Sequence, residues 1–193
     1  PCFQRTHDAY HRFFPDSRWD TNRLWQILTL MLIKIFYRTG TITLALDDTL
    51  FHHTGRKING AGYWRDAVRS TKKSIVYAWG LNLVILTLQI QPPWGGEPLG
   101  LPINMRLHRK NGDTLIELAR QMIKQLHQWL PERQFRLVAD GFYATLAGKK
   151  MPQTHLVSRI QRNAKIFDLS PKRRKKTRGR PRKKGKRLAN PQK

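Results

Sequence analysis

The sequence is poor in cysteine, in acid and in long apolar runs. Its single cysteine, Cys2, excludes an intrachain disulfide and fits a reducing compartment, so a cytoplasmic location is expected. Twelve Asp and Glu stand against 37 Lys and Arg, a net charge of +25. That imbalance excludes a binder of cationic partners and points to a polyanion. The most apolar stretch, residues 24–37, spans 14 residues and is interrupted by Gln26, Thr29 and Lys34. It falls short of the roughly 20 residues that cross a bilayer, which excludes a membrane span and suggests a buried helix. There is no signal-peptide pattern and no internal repeat. The chain starts at Pro1 without a Met, so a true start further upstream is expected.

What is present suffices for one domain. The 193 residues, 39% of them hydrophobic, can bury a proper core. Residues 171–193 hold seven Lys and six Arg with no acid, so this tail supplies about half of the net charge and the remainder of the chain is basic as well. Three parts are expected: an N-terminal helical segment (residues 1–40), a core (41–160) and a basic, disordered tail (161–193).

Along the chain, residues 1–20 read as a polar and aromatic lead-in. Asp20 can cap a helix over residues 21–38, with Leu24, Leu28, Met31 and Ile35 on one stripe and Gly40 as its stop. Its other faces are apolar too, which predicts a helix largely enclosed. Residues 41–47 read as a first strand and 52–73 as a basic loop. Residues 74–90 form a long strand, bent or broken at Gly80, and 101–107 return beside it. The clearest helix covers residues 114–130, with Asp113 available as cap, a Thr114-x-x-Glu117 capping box and Pro131 as terminator. Strands follow at 135–139 and 154–158. This order of elements describes an α/β sheet with mixed pairing.

Two of these strands, in TITLALDDTLF (41–51) and FRLVADGFY (135–143), run into acid. A carboxylate at the end of an apolar strand needs a partner or a task. It can be a turn-former or a salt-bridge partner. It can also hold a divalent ion for phosphodiester cleavage, in which two ions about 4 Å apart serve the attacking and leaving oxygens. Mg²⁺ needs few carboxylates, so Asp47 or Asp48 together with Asp140 would suffice. Neighbours in a strand face opposite ways, so Asp47 and Asp48 cannot both address one site while the strand persists.

LALDDT (44–49), GLPINMRLHRKNG (100–112) and ADGFYA (139–144) resemble insertion-sequence transposases of the DDE superfamily. The resemblance covers about residues 41–160. It implies a ribonuclease-H-like mixed sheet flanked by helices, and it selects Asp48 and Asp140 as the first two metal ligands. It further implies two Mg²⁺ ions, with Mn²⁺ as a possible substitute, DNA as partner and a homodimer in the DNA complex. The family's third acid is a Glu in a Tyr-x-x-Arg-x-x-x-Glu helix. After Asp140 this sequence has no Glu, and its one acid, Asp168, lies in a loop context. The chain is therefore expected to be a fragment truncated before the final catalytic helix and inactive alone. The alternatives are a non-catalytic DNA-binding remnant and a related nuclease that does not transpose.

Arg65, Arg69, Lys72, Lys73, Arg106, Arg109 and Lys110 are candidates for the DNA backbone, or equally a solvated basic surface. The Arg178-Gly179-Arg180-Pro181 core resembles an AT-hook, in which Gly lets the backbone approach a narrow minor groove and Arg178 and Arg180 reach into it. The plainer reading is a solvated basic linker. Trp64 and Trp94 could stack on a base or pack back on the domain. His52 and His53 are poor ligands for hard Mg²⁺. The His7 and His11 pair, spaced for zinc, lacks a third ligand nearby.

Overall fold

A computed structural model describes residues 18–160, 164–171, 179–180 and 182–189. Cys2, the His7 and His11 pair, most of the lead-in segment and Arg178 lie outside them.

The centre of the sheet is β1 (Ile42–His52), paired antiparallel with β3 (Tyr77–Ile90) on one side and parallel with β5 (Phe135–Ala139) on the other. Beyond β5 lies β6 (Thr154–Ser158), also parallel. The far edge of β3 carries β4 (Leu99–His108) along most of its length and the short β2 (Gly62–Arg65) at its start. With α1 (Thr21–Phe36) before β1 and α2 (Leu115–Trp129) between β4 and β5, this is a ribonuclease-H-like fold.

Strand alternation decides what is buried. Ile42, Leu44 and Leu46 of β1 point to the face that holds Val84, Leu86 and Leu88 of β3 and Phe135 and Leu137 of β5, all in the core with α2. The opposite parity is only partly covered. Gly80 lets β1 and β3 close up, because a Cβ there would lie 2.1 Å from the Phe51 carbonyl oxygen. The strand runs through Gly80 unbroken rather than splitting at it. In β4 the register shifts opposite Leu86 and Thr87, leaving Ile103 as the extra residue of a bulge. Its carbonyl accepts the buried Thr29 hydroxyl of α1 at 3.1 Å.

Three expectations need correction. The first strand does not stop at Asp47. It pairs with β3 through nine residues to His52, so both acids sit within the strand. The basic loop contains β2, recruited by the protruding start of β3. Nor is α1 enclosed: only Thr29 and Ile33 are buried, and Leu24, Ile27, Met31 and Ile35 are half-exposed or more. The sheet reaches one of its faces, and no described residue covers the others. The described residues of the basic tail make one isolated bridge. Phe167 bridges Arg187, and Gly185 packs so closely on the Leu169 carbonyl that a Cβ would lie 2.3 Å from it.

Candidate carboxylate site

Asp48 continues the core-facing parity of β1 one step past Leu46, where the core ends. Its Oδ1 accepts the Tyr143 hydroxyl at 3.1 Å. Tyr143 is fully buried, and burial, followed by the Asp48 charge, pushes its pKa far up. The hydroxyl therefore stays protonated and remains a donor.

Asp140 follows β5, and the parallel register Leu46–Ala139 makes it the neighbour of Asp47 across the strands. Its Oδ1 accepts the N–H groups of Phe142 (2.9 Å) and Tyr143 (3.4 Å), capping a 3₁₀ turn over Gly141–Gly148. That cap links the two acids: Asp140 holds the start of the turn that carries Tyr143, and Tyr143 holds Asp48.

Although β1 persists through both acids, contrary to expectation Asp47 lines the same cavity as Asp48, its Oδ1 accepting the Asp48 N–H at 2.9 Å. Its carboxyl is held above the ordinary range. Partial desolvation is the main cause, the Asp48 N–H opposes it, and the charges of Asp48 and Asp140 add to it. The negative charges of Asp48 and Asp140 beside Asp47 make this a place where a cation is welcome.

The cavity has a volume of about 670 Å³, and Arg65, Arg69, His52 and Asn82 line it with the three acids. Its wall includes a residue overlooked in the sequence, Asp66, only 2% exposed. Asp66 Oδ1 accepts the N–H groups of Val68 and Arg69, both at 3.0 Å. Its Oδ2 lies 3.0 Å from His52 Nε2 and 3.5 Å from Arg69 Nε, ion-pair contacts short of good hydrogen-bond geometry. The Arg69 N–H above all holds this carboxyl below its ordinary range, against the effect of burial. Asp66 thus folds the turn after β2 so that Arg65 and Arg69 reach the cavity. The one available signal was an acid followed by Arg three residues later inside a basic run.

The remaining cations are dispersed. Lys72 and Lys73 are exposed between β2 and β3. Arg106 is tied to Gln125 (2.7 Å) and Asn22 (3.3 Å), joining β4 to both helices. Arg109 donates to Asn59 at 2.9 Å. Lys110 lies 5.9 Å from the Trp64 ring, which itself packs on His108. His108 has its pKa lowered by burial, with the Asp48 charge opposing. Trp94 is exposed in the turn before β4, and Arg180 is exposed in the tail. Asp168 does not line the cavity: its carbonyl accepts the Gly185 N–H within the tail.

Among the described residues no cluster of three or more His, Cys, Asp or Glu is arranged to hold a metal ion. Asp48 and Asp140 still suit a hard divalent ion, which takes oxygen ligands and keeps several waters. No described helix is long and apolar enough to cross a membrane. Compared with known proteins, the chain matches, over residues 3–193, the family described as DDE superfamily endonuclease. Nothing among curated proteins or solved structures matches it.

Proposed function

Because this chain belongs to the DDE superfamily endonuclease family, we propose that it is the catalytic core of an insertion-sequence transposase, cutting DNA at the element's ends and joining them to a target. The observation that carries this reading is the cavity in which Asp48 and Asp140, from adjacent parallel strands, meet Asp47 beneath Arg65 and Arg69.

In this reading Asp48 and Asp140 hold divalent ions, Mg²⁺ or Mn²⁺. When bound, such ions activate the attacking oxygen and stabilise the leaving one. The chain's own part is positioning and charge. Tyr143 fixes the Asp48 carboxylate, the turn after β5 fixes Asp140, and Arg65 and Arg69 neutralise phosphate at the rim. Water, then a DNA 3′ hydroxyl, attacks in line without a covalent protein intermediate. Residues 41–160 form the catalytic part and the basic tail adds salt-sensitive DNA affinity. The family's third acid has no counterpart after Asp140, so these 193 residues alone transfer little or no DNA. One second reading is a DNA-binding remnant without catalysis, which the net charge of +25 supports.

The test is Mn²⁺ binding followed by spin resonance, alongside duplex DNA binding. Saturable Mn²⁺ binding is expected. Asp48→Asn and Asp140→Asn should each weaken it by about tenfold or more, as loss of a carboxylate ligand requires, with DNA affinity retained. If the wild-type chain binds DNA and no Mn²⁺, the remnant reading stands and the transposase reading fails.

A further inference from the structure

Beyond the core, the ends of β1, β2 and β3 form a small projecting sheet, and its outward face is aromatic. Tyr63 pairs with Trp79, Arg65 with Tyr77 and Phe51 with Leu81, so these side chains share the face away from the helices, the same parity as Asp47. Tyr63 is 60% exposed and Tyr77 63%. A cross-strand aromatic pair that served the sheet alone would gain most from being covered, yet no described residue covers these rings.

The Trp79 ring is held in one orientation. Its Nε1–H donates to the Gly55 carbonyl at 2.9 Å, and the Tyr63 ring meets it edge-on, 5.2 Å between centroids. Together with His53, Thr54 and Arg56 the two rings line an open cleft of about 390 Å³. No acid lines it. A rigid aromatic wall with a cationic rim matches a flat π-system attached to a phosphate.

We propose that Trp79 and Tyr63 form a base-stacking subsite for an unpaired nucleobase of bound DNA, with Arg56 on its phosphate. Trp79 lies six strand residues from Ile85, the cross-strand partner of Asp47, so the subsite is about 20 Å from the carboxylates. That is about six nucleotides of stacked strand at 3.4 Å each, close enough for one DNA end to touch both. The inference rests on the DNA reading above and not on its metal chemistry. An apolar protein partner is the rival occupant, and the cationic rim argues against it.

The experiment compares a fully paired duplex with the same duplex carrying a single-stranded overhang, by anisotropy at one fixed salt concentration, with 2-aminopurine in the overhang reporting stacking. The wild-type chain should prefer the overhang and quench the 2-aminopurine. Tyr63→Ala should weaken overhang binding by roughly fivefold or more, the usual effect of one lost stacking ring, and leave duplex binding unchanged. Tyr63→Phe should behave as wild type, and Tyr63→Leu, apolar but unable to stack, as Tyr63→Ala. Trp79→Phe, which keeps a ring while removing the bond to Gly55, should reduce quenching. Wild-type affinity in Tyr63→Ala, or full rescue by Tyr63→Leu, overturns the proposal while the DNA reading survives. Failure of the wild-type chain to bind either DNA overturns both.

Discussion

The two helices lie on one face of the sheet and are attached to it by different means. Helix α2 turns Leu118, Ala119, Met122, Ile123 and Leu126 into the core and polar residues outward. Helix α1 is the more apolar of the two, yet it buries only Thr29 and Ile33. Its position depends on polar ties. One is the Thr29 hydroxyl on the Ile103 carbonyl. Others are the bonds of Arg106 and Gln125 to Asn22 Oδ1, and Arg133, whose guanidinium donates to the Tyr37, Arg38 and Gly40 carbonyls that follow the helix. An amphipathic helix carries its docking face in its own pattern. A helix that is apolar all round does not, and groups distant in sequence decide where it sits.

The sharpest way to break this contrast is truncation on each helix. Met122→Ala should cost about 2–5 kcal/mol, the price of a fully buried side chain and the cavity it leaves. Ile27→Ala, more than half exposed, should stay within about 0.5 kcal/mol. Chemical denaturation reads both. Equal losses would mean that the outer face of α1 is covered in solution. The next effect in size is Arg133→Leu. It removes three charge-assisted bonds to carbonyls at one helix end, for which about 1–3 kcal/mol is expected. Amide exchange should accelerate at the α1 C-terminus and not in α2. Uniform acceleration would show that Arg133 supports the whole core rather than one helix.

The contrast also explains what could be read from the sequence. Helix α2 was legible because its stripe, its capping box and Pro131 all give the same boundaries. The strands at 135–139 and 154–158 and the antiparallel return of β4 were legible from apolar runs between turn residues. Other features depend on partners far along the chain. Asp47 and Asp48 are poor strand formers, and β1 continues through them because β3 pairs with it as far as Gly80. β2 is four residues in a glycine-rich stretch, visible only once the start of β3 projects beside it. Asp66 shows no purpose until β1 and β2 bring His52 to it. Of the expected site residues, Asp48, Asp140, Arg65 and Arg69 meet at one cavity, while Arg106 is occupied between the helices.

The smallest effect separates the start of α2 from its docking. The Thr114 N–H and hydroxyl both donate to Glu117 Oε2, at 2.9 and 2.8 Å, and the Glu117 N–H returns to Thr114 Oγ1 at 3.3 Å. The Thr114 N–H above all, then its hydroxyl, holds the Glu117 carboxyl below its ordinary value of 4.5. The folded chain thus favours the carboxylate more than the unfolded chain does. The contribution is present above 4.5 and is lost as the pH falls through the lower folded value. Glu117→Gln keeps an oxygen acceptor and loses the charge. Its melting temperature should lie slightly below wild type near neutrality, and the difference should close in acid, well below 4.5. Because burial rather than the cap holds α2 to the sheet, amide exchange should change only in its first turn. A deficit that persists in acid would assign the box's contribution to shape instead of charge. Exchange along the whole of α2 would mean that its docking depends on its cap rather than on burial.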